Sequence, residues 1–466
     1  MAILYCDGIP TKKCEHRNGI FTGHVEEVAE WKLILSKGID SKESILFYDI
    51  KAEYTYGVVK CNERYCAVDG LRGAYRMVVA DVNRREMIIY EDSERTDPQC
   101  TKEVIDLDVN GKRWEGGVRD GKPFGYGVVY DEEGRKEYEG FMVDGVKVCY
   151  GIEYYSDIEW VKYRGCFYEG KRFGRGVLFG RNGMIEYDGL WRNGKPYSNQ
   201  FDSNTIDNTT ESVDIHYNSY NNEKTFILPF FLCSLKRVVI EHKCFEKARV
   251  FELDGLRELE SIVVGNECFT ITDNNTRQSE RSDGSCRIVN CPKLKSIHIS
   301  LFSFRGYHSF ELSNLPSLQS IDIGDRCFYS VSSFSLTDLP QLQSLKLGNG
   351  AFYYVQSAVF ENLPKLQSIR LAGTALRGDG DDRKTISTSP YNYRNTLTMR
   401  NLPSLTEFKG DDWNFYAIGP VILENIPQLS SGGIYFGDYC FCFTYSLKSS
   451  NAAALESAIR RKSDCL

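Results

Sequence analysis

From residue 226 onward, apolar positions come in pairs two residues apart, and the pairs return every 24 residues. The stretch NLPSLQSIDIGDRCFYSVSSFSLTDLP shows the unit: Leu318 opens an L-x-S-I run, and Ile321 and Ile323 follow. The first Leu of that run falls at Leu235, Leu259, Leu294, Leu318, Leu342, Leu366, Leu405 and Leu429. Two longer steps, of 35 and 39 residues, carry the insertions ITDNNTRQSERSDG and RGDGDDRKTISTSPY. A spacing of two puts both apolar side chains on one face of a strand. Ten residues after the Leu stands Phe245, Phe269, Phe304, Phe328, Phe352 or Phe415, with Leu376 once. A second strand reads F-x-L, as in Phe310/Leu312 and Phe334/Leu336. Asn290, Asn314, Asp338, Asn362, Asn401 and Asn425 then precede an L-P or similar corner in constant phase. A stacked amide column there is expected to satisfy backbone groups left open at a solenoid corner. The prediction is a coil with two β faces per turn rather than a strand and a helix.

A second array lies upstream. Aromatic residues followed two positions later by Gly occur at Trp114, Tyr138, Tyr163 and Tyr187, in steps of 24, 25 and 24. Seven residues after each comes a turn glycine: Gly121, Gly145, Gly170 and Gly194. The stretch GCFYEGKR, 165–172, begins like a phosphate-binding loop, but Arg172 stands where the magnesium-holding hydroxyl is needed. GGVRDGK and GLWRNGK repeat the pattern. The glycines therefore punctuate hairpins: Asp-Gly and Asn-Gly supply the positive φ of tight turns. The following G-x-G pairs let backbones approach, or let an aromatic ring lie flat on them. One hairpin is marginal alone, and stacked hairpins share a core.

The remaining segments are less regular. Residues 1–105 read as a β-rich region of unknown type, packed on the first array. Within it HVEEVAEWKLIL suggests a helix, and RMVVADVNRREMIIYED suggests two strands about an Asn-Arg-Arg turn. Residues 106–198 hold the hairpin repeats. Residues 199–225, rich in Asn, Ser and Thr, form a linker or the solenoid's edge. The solenoid occupies 226–446, and SNAAALESAIRRKSDCL, within 447–466, forms a helical cap with a Ser or Asn N-cap.

Composition alters this picture little. Among 466 residues, 29 Tyr and 26 Phe favour strands, and a net charge of −7 argues against a general nucleic-acid binder. The N-terminus shows no signal-peptide core and no apolar run is long enough for a membrane span, so a cytoplasmic location with reduced cysteines is expected. Cys244, Cys268 and Cys327 share a position with Ser303 and Ala351, which marks a small buried residue. The C-x4-C pairs Cys61/Cys66 and Cys286/Cys291 lack a second pair at zinc-finger spacing, and Cys6, Cys14, His16 and His24 form the one mixed cluster. Arg377-Gly378-Asp379 reads as part of an exposed insertion loop. Asp379, Asp381 and Asp382 do not continue as a calcium loop. Six scattered His and no G-x-S-x-G, H-E-x-x-H or dinucleotide fingerprint point away from catalysis. No catalytic residue, metal or cofactor is assigned.

The first array resembles the MORN repeat family, on Tyr138-Glu139-Gly140, Gly170-Lys171, Gly174, Gly176, Trp191 and Gly194-Lys195. The second resembles leucine-rich repeats of the BspA-like kind, on its L-x-S-I-x-I-G-x-x-C-F unit. It lacks the compact L-x-x-L-x-L-x-x-N core. The expected fold is mainly β, a MORN-type β-hairpin meander followed by a leucine-rich repeat β-solenoid, with little helix. These resemblances imply a non-enzymatic scaffold that binds protein partners of unknown identity. Tyr329, Tyr353 and Tyr354 are the candidate protein contacts. MORN proteins include members that contact anionic phospholipid, so the alternative is a peripheral membrane adaptor using Lys171, Arg172, Arg175 and Arg192. Residues 162–197 hold eight basic against three acidic residues, whereas 112–161 hold seven against eleven.

Overall fold

A computed structural model describes residues 2–6, 9–17, 20–27, 40, 43–61, 64–71, 74–91, 94–96, 100–197, 205–271, 284–380 and 394–463, with backbone alone for 2–6, 9–17, 20–27, 74–75 and 94. The chain forms two compact units, Met1–Thr209 and Thr210–Leu466. It is mainly β: an antiparallel hairpin meander, then a parallel β-solenoid of about nine turns.

In the first unit, β1 (Ala2–Cys6), β2 (Ile9–Arg17) and β3 (Ile20–Glu27) make a three-stranded antiparallel sheet. Residues 24–27 of the expected helix lie in β3 instead, and the rest of that segment falls outside the described residues. A seven-stranded sheet follows: β4 (Ile45–Asp49), β5 (Tyr54–Cys61), β6 (Arg64–Leu71), β7 (Ala74–Asp81), β8 (Glu86–Glu91) and β9 (Glu94–Thr96), with β19 (Thr205–Asp207) returning beside β4. The β7–β8 hairpin is the pair of strands expected from RMVVADVNRREMIIYED.

The meander is nine strands in chain order, each antiparallel to the next. They are β10 (Thr101–Asp106), β11 (Arg113–Arg119), β12 (Lys122–Tyr130), β13 (Lys136–Val143), β14 (Val146–Tyr155), β15 (Trp160–Tyr168), β16 (Lys171–Phe179), β17 (Ile185–Arg192) and β18 (Lys195–Pro196). Tight turns join alternate pairs, and both turn residues are left-handed, as at Glu169 (φ 47°) and Gly170 (φ 74°). The GCFYEGKR stretch is therefore a hairpin, with Lys171 opening a strand rather than a helix. One face of the meander packs on the seven-stranded sheet. Ile45, Phe47, Val58, Val78 and Ile89 meet Phe124, Phe141, Val148, Cys166 and Phe173 there in one buried core. On the other face Trp114, Tyr138, Tyr163 and Trp191 form an aromatic row.

In the second unit nine short strands, from Ser212–Ile215 to Ile434–Phe436, stack in parallel as one sheet. The register is residue for residue: Ile321 pairs with Ile297 and Leu345. The opposite face consists of a four-stranded and a five-stranded parallel sheet. Between the faces Leu318, Ile321, Ile323, Phe328, Phe334 and Leu336 are at most 1% exposed. The aligned phenylalanines form a column of near-parallel rings: Phe269–Phe304 centroids are 4.7 Å apart, Phe304–Phe328 4.9 Å and Phe328–Phe352 5.1 Å. Each takes a left-handed backbone, as at Phe328 (φ 51°), which is costly for a bulky residue and is held by the stack.

The corner column behaves differently from expectation. Its amides bond to one another: Asn362 Nδ2 donates to Asp338 Oδ1 at 2.8 Å, Asn401 to Asn362 at 2.8 Å, and Asn425 to Asn401 at 3.3 Å. The backbone is satisfied separately. Each residue is left-handed, and the N–H of Asn290, Asp338, Asn362, Asn401 and Asn425 reaches the next coil, as from Asn362 to Arg400 O at 3.1 Å. Asn451 joins this ladder, its Nδ2 donating to Asn425 Oδ1 at 3.1 Å. The expected helix, α1 (Ala453–Ser463), buries Leu455, Ala458 and Ile459.

Candidate interaction surface

The four basic residues flagged on the meander do not form one patch. Arg172 donates to Glu153 Oε2 at 2.7 Å and lies over the Tyr163 and Trp191 rings, on the aromatic face. Arg192 stands over Phe47 at 4.2 Å and donates to the Tyr56 hydroxyl, against the seven-stranded sheet. Arg175 pairs with Asp188 at 2.7 Å. Lys171 is exposed at its tight turn. Lys147 joins the Arg172 cluster from the neighbouring hairpin, 2.7 Å from Glu153. Burial raises the Glu153 carboxyl, but Lys147 and Arg172 outweigh it and hold the group below the usual carboxylate range.

On the solenoid, the residue after each stacked phenylalanine or its leucine equivalent points along one edge. Tyr329 and Tyr353 stack with centroids 4.7 Å apart, and Tyr354 meets both edge-on at 5.2 and 4.9 Å. Tyr354 is exposed, whereas Tyr329 and Tyr353 are half-buried. Burial, with Tyr354 and Tyr353 alongside, pushes the Tyr329 hydroxyl up to about 12, so it stays neutral. Arg305 lies 5.7 Å from the Tyr329 ring. Arg377 is sandwiched between Tyr353 at 5.0 Å and Tyr416 at 4.9 Å. Tyr416 touches Trp413 at 4.7 Å and Phe443 at 4.9 Å, and Trp413 stacks on Tyr439 at 4.4 Å. The result is an unbroken strip of aromatic rings and guanidinium groups across six coils.

This placement corrects one expectation. Arg377-Gly378-Asp379 is not an exposed loop: Arg377 is 4% exposed, Gly378 is buried, and Asp379 accepts from Gln356 Nε2 at 2.9 Å. Asp381 and Asp382 lie outside the described residues. The structure brings the three candidate tyrosines together, and with them Arg305, Arg377, Trp413, Tyr416 and Tyr439, which the repeat pattern alone did not single out. The signal was present: Arg305, Tyr329, Tyr353, Arg377 and Tyr416 all stand one residue after the aligned Phe or Leu376.

The outward face of the nine-stranded sheet carries a second row, His298, Asp322, Lys346, Arg370 and Lys409, lining a shallow cavity of about 580 Å³. Its charges largely satisfy one another. Lys346 pairs with Asp322 at 3.4 Å, and Arg370 and Lys409 both hold Glu407, at 2.5 and 2.9 Å. His298 here lies 3.3 Å from Ser300 Oγ through Nε2 and 3.5 Å from Asp322 Oδ2 through Nδ1. The connectivity is that of an acyl-transfer triad, but the surroundings are not. His298 is about half exposed, Lys346 competes for Asp322, and the Ser300 and Leu301 amides are spent on Val264 O and Asn266 Oδ1. No oxyanion donor is left beside Ser300 by those two amides.

The thiols serve the coil. Cys268 Sγ donates to Glu241 O at 2.9 Å and Cys327 Sγ to Ser300 O at 2.9 Å, one coil back. Ser303 Oγ makes the same bond to Gly265 O at 2.7 Å, which explains why Ser replaces Cys there. Cys61, Cys66, Cys286 and Cys291 are buried, and Cys6, Cys14, His16 and His24 lie on β1–β3 with side chains outside the described residues. Among the described residues, no three His, Cys, Asp or Glu groups converge on a metal-sized site. No helix among them is long and apolar enough to cross a membrane. No family model matches the chain, and no curated protein matches it.

Proposed function

We propose that this chain is a non-enzymatic scaffold whose solenoid captures a protein partner along the aromatic–arginine edge. The carrying observation is the strip from Arg305 to Tyr439. Tyr, Trp and Arg are the residues enriched at binding hot spots, and here they are held rigid by mutual stacking. The repeat phase supports reading the meander as MORN-type hairpins and the solenoid as BspA-like leucine-rich coils. A solenoid presents such residues in rows, which suits an extended partner. A cytoplasmic setting agrees with the buried thiols. The membrane-adaptor reading gains less, because Arg172, Arg175 and Arg192 are engaged on two faces of the meander and Lys171 stands apart.

The test is affinity capture from the cells that make the protein, comparing wild type with the Tyr329→Ala/Tyr353→Ala/Tyr354→Ala variant at matched circular dichroism. Loss of a specific partner in the variant is expected. An identical captured set would overturn the reading.

A further inference from the structure

The strip's charge points to the chemistry of its partner. The whole chain carries a net charge of −7, yet this edge holds Arg305 and Arg377, with Arg326 beside Tyr329: a Cβ on Gly350 would lie 3.5 Å from Arg326 Cγ and 3.8 Å from Tyr329 Cε2. Elsewhere on the solenoid the arginines are matched by acids: Arg287 with Asp254, Arg370 with Glu407, Arg400 with Glu424. Arg305 and Arg326 are different. Arg305 lies over Tyr329 and Arg326 over Phe302, both at 5.7 Å, and neither pairs with a carboxylate of the described residues. Of the acids nearby, two bridge coils, and the exposed Asp438 lies 3.8 Å from Lys462. Asp325 accepts from the Asn349 amide and Asp412 from the Asp438 amide, both at 2.8 Å, closing one coil onto the next. A guanidinium held over a ring with no carboxylate partner keeps its planar fork available to one.

We propose, resting on the docking reading above, that the partner is an extended acidic peptide segment. Its carboxylates meet Arg305 and Arg326, and its apolar side chains lie on Tyr354 and Tyr439, which are 39% and 55% exposed. Six coils at the inter-strand spacing span about 24 Å, the length of roughly seven extended residues. A single-stranded nucleic acid also offers anions to arginine and flat faces to tyrosine, but the geometry favours the peptide. Tyr329 is closed against Tyr353 and Trp413 against Tyr439, leaving no slot between rings for a base.

The experiment uses the full chain and two immobilised libraries of nine-residue peptides. One fixes Glu at three positions, the other fixes Lys at the same three, and both are degenerate elsewhere. A 20-nucleotide oligouridylate serves as the third probe. The acidic library is expected to enrich binders that weaken between about 0.05 and 0.3 M salt. Those binders should lose at least about tenfold in affinity to the Arg305→Glu/Arg326→Glu variant, with circular dichroism unchanged. Equal enrichment from the Lys library, binders indifferent to the charge reversal, or tighter binding of the oligouridylate would each overturn the proposal. The two readings fail separately. If the tyrosine variant loses its cellular partner and the arginine variant keeps it, the docking edge stands and the acidic partner does not.

Discussion

Tyr163 lies across Gly176. Its hydroxyl donates to Cys166 O at 3.0 Å, and a Cβ on residue 176 would stand 2.1 Å from the Tyr163 hydroxyl oxygen. Tyr138 over Gly151 and Trp114 over Gly127 repeat the relationship, with clashes at 2.5 and 2.4 Å. The glycine of the G-x-G pair is thus fixed by space and the turn glycine by backbone sign. Gly194, with φ 82° and nothing within 4 Å of its would-be Cβ, is the second kind. The two substitutions should therefore differ. Gly176→Ala displaces a fully buried ring and is expected to cost about 2–3 kcal/mol. Gly194→Ala should cost about 1 kcal/mol, the left-handed penalty alone. Urea unfolding of both variants, followed by tyrosine fluorescence, measures the difference, and equal losses would mean that the ring does not rest on Gly176.

Glu153 joins Lys147 and Arg172 over the aromatic row, with each of the three side chains less than a quarter exposed. Its folded-state pKa is depressed below the ordinary 4.5, because the two cations outweigh burial. A depressed carboxyl contributes stability that is present above the unfolded value and lost as pH falls through the folded one. Wild type should therefore lose stability below about pH 4.5. Glu153→Gln should remove that part of the slope and cost about 2 kcal/mol at neutral pH, since it leaves two half-buried cations without their shared anion. Thermal unfolding between pH 3 and 7 tests this, with parallel curves for the two proteins as the contrary result.

The 24-residue phase made the coils legible because a parallel stack in register must repeat each position at the same offset. Leu318, Ile321 and Phe328 announced their burial that way. The sign of the backbone at Phe328 was not legible, since a residue name carries no φ and the strain is held by neighbours in other coils. Arg377 was misread because it precedes an insertion. The rings that bury it, Tyr353 and Tyr416, come from the coils on either side. The basic run 162–197 suggested a patch because counting charge ignores alternation, which sends Arg172 and Arg192 to opposite faces of one sheet. The seven-stranded sheet had no repeat to mark it, and only its β7–β8 hairpin could be read from turn chemistry.

The amide ladder gives the last prediction. Asp338 accepts from Asn362 Nδ2 at 2.8 Å, and Asn362 Oδ1 in turn accepts from Asn401. A carboxylate is tolerated at 338 because it only has to accept. Position 362 must both donate and accept, so the two positions are not interchangeable. Asn362→Asp places a carboxylate against Asp338 and should cost about 1–3 kcal/mol at neutral pH. Like charges raise the pKa of the pair in the folded state. The deficit should therefore shrink as pH falls through the carboxylate range, where one shared proton restores a donor. Asp338→Asn keeps an acceptor and should leave stability within about 0.5 kcal/mol of wild type. Denaturant titrations of both variants at pH 7 and pH 4 decide it: a deficit for Asn362→Asp that does not change with pH would show that the ladder is not held by donation from residue 362.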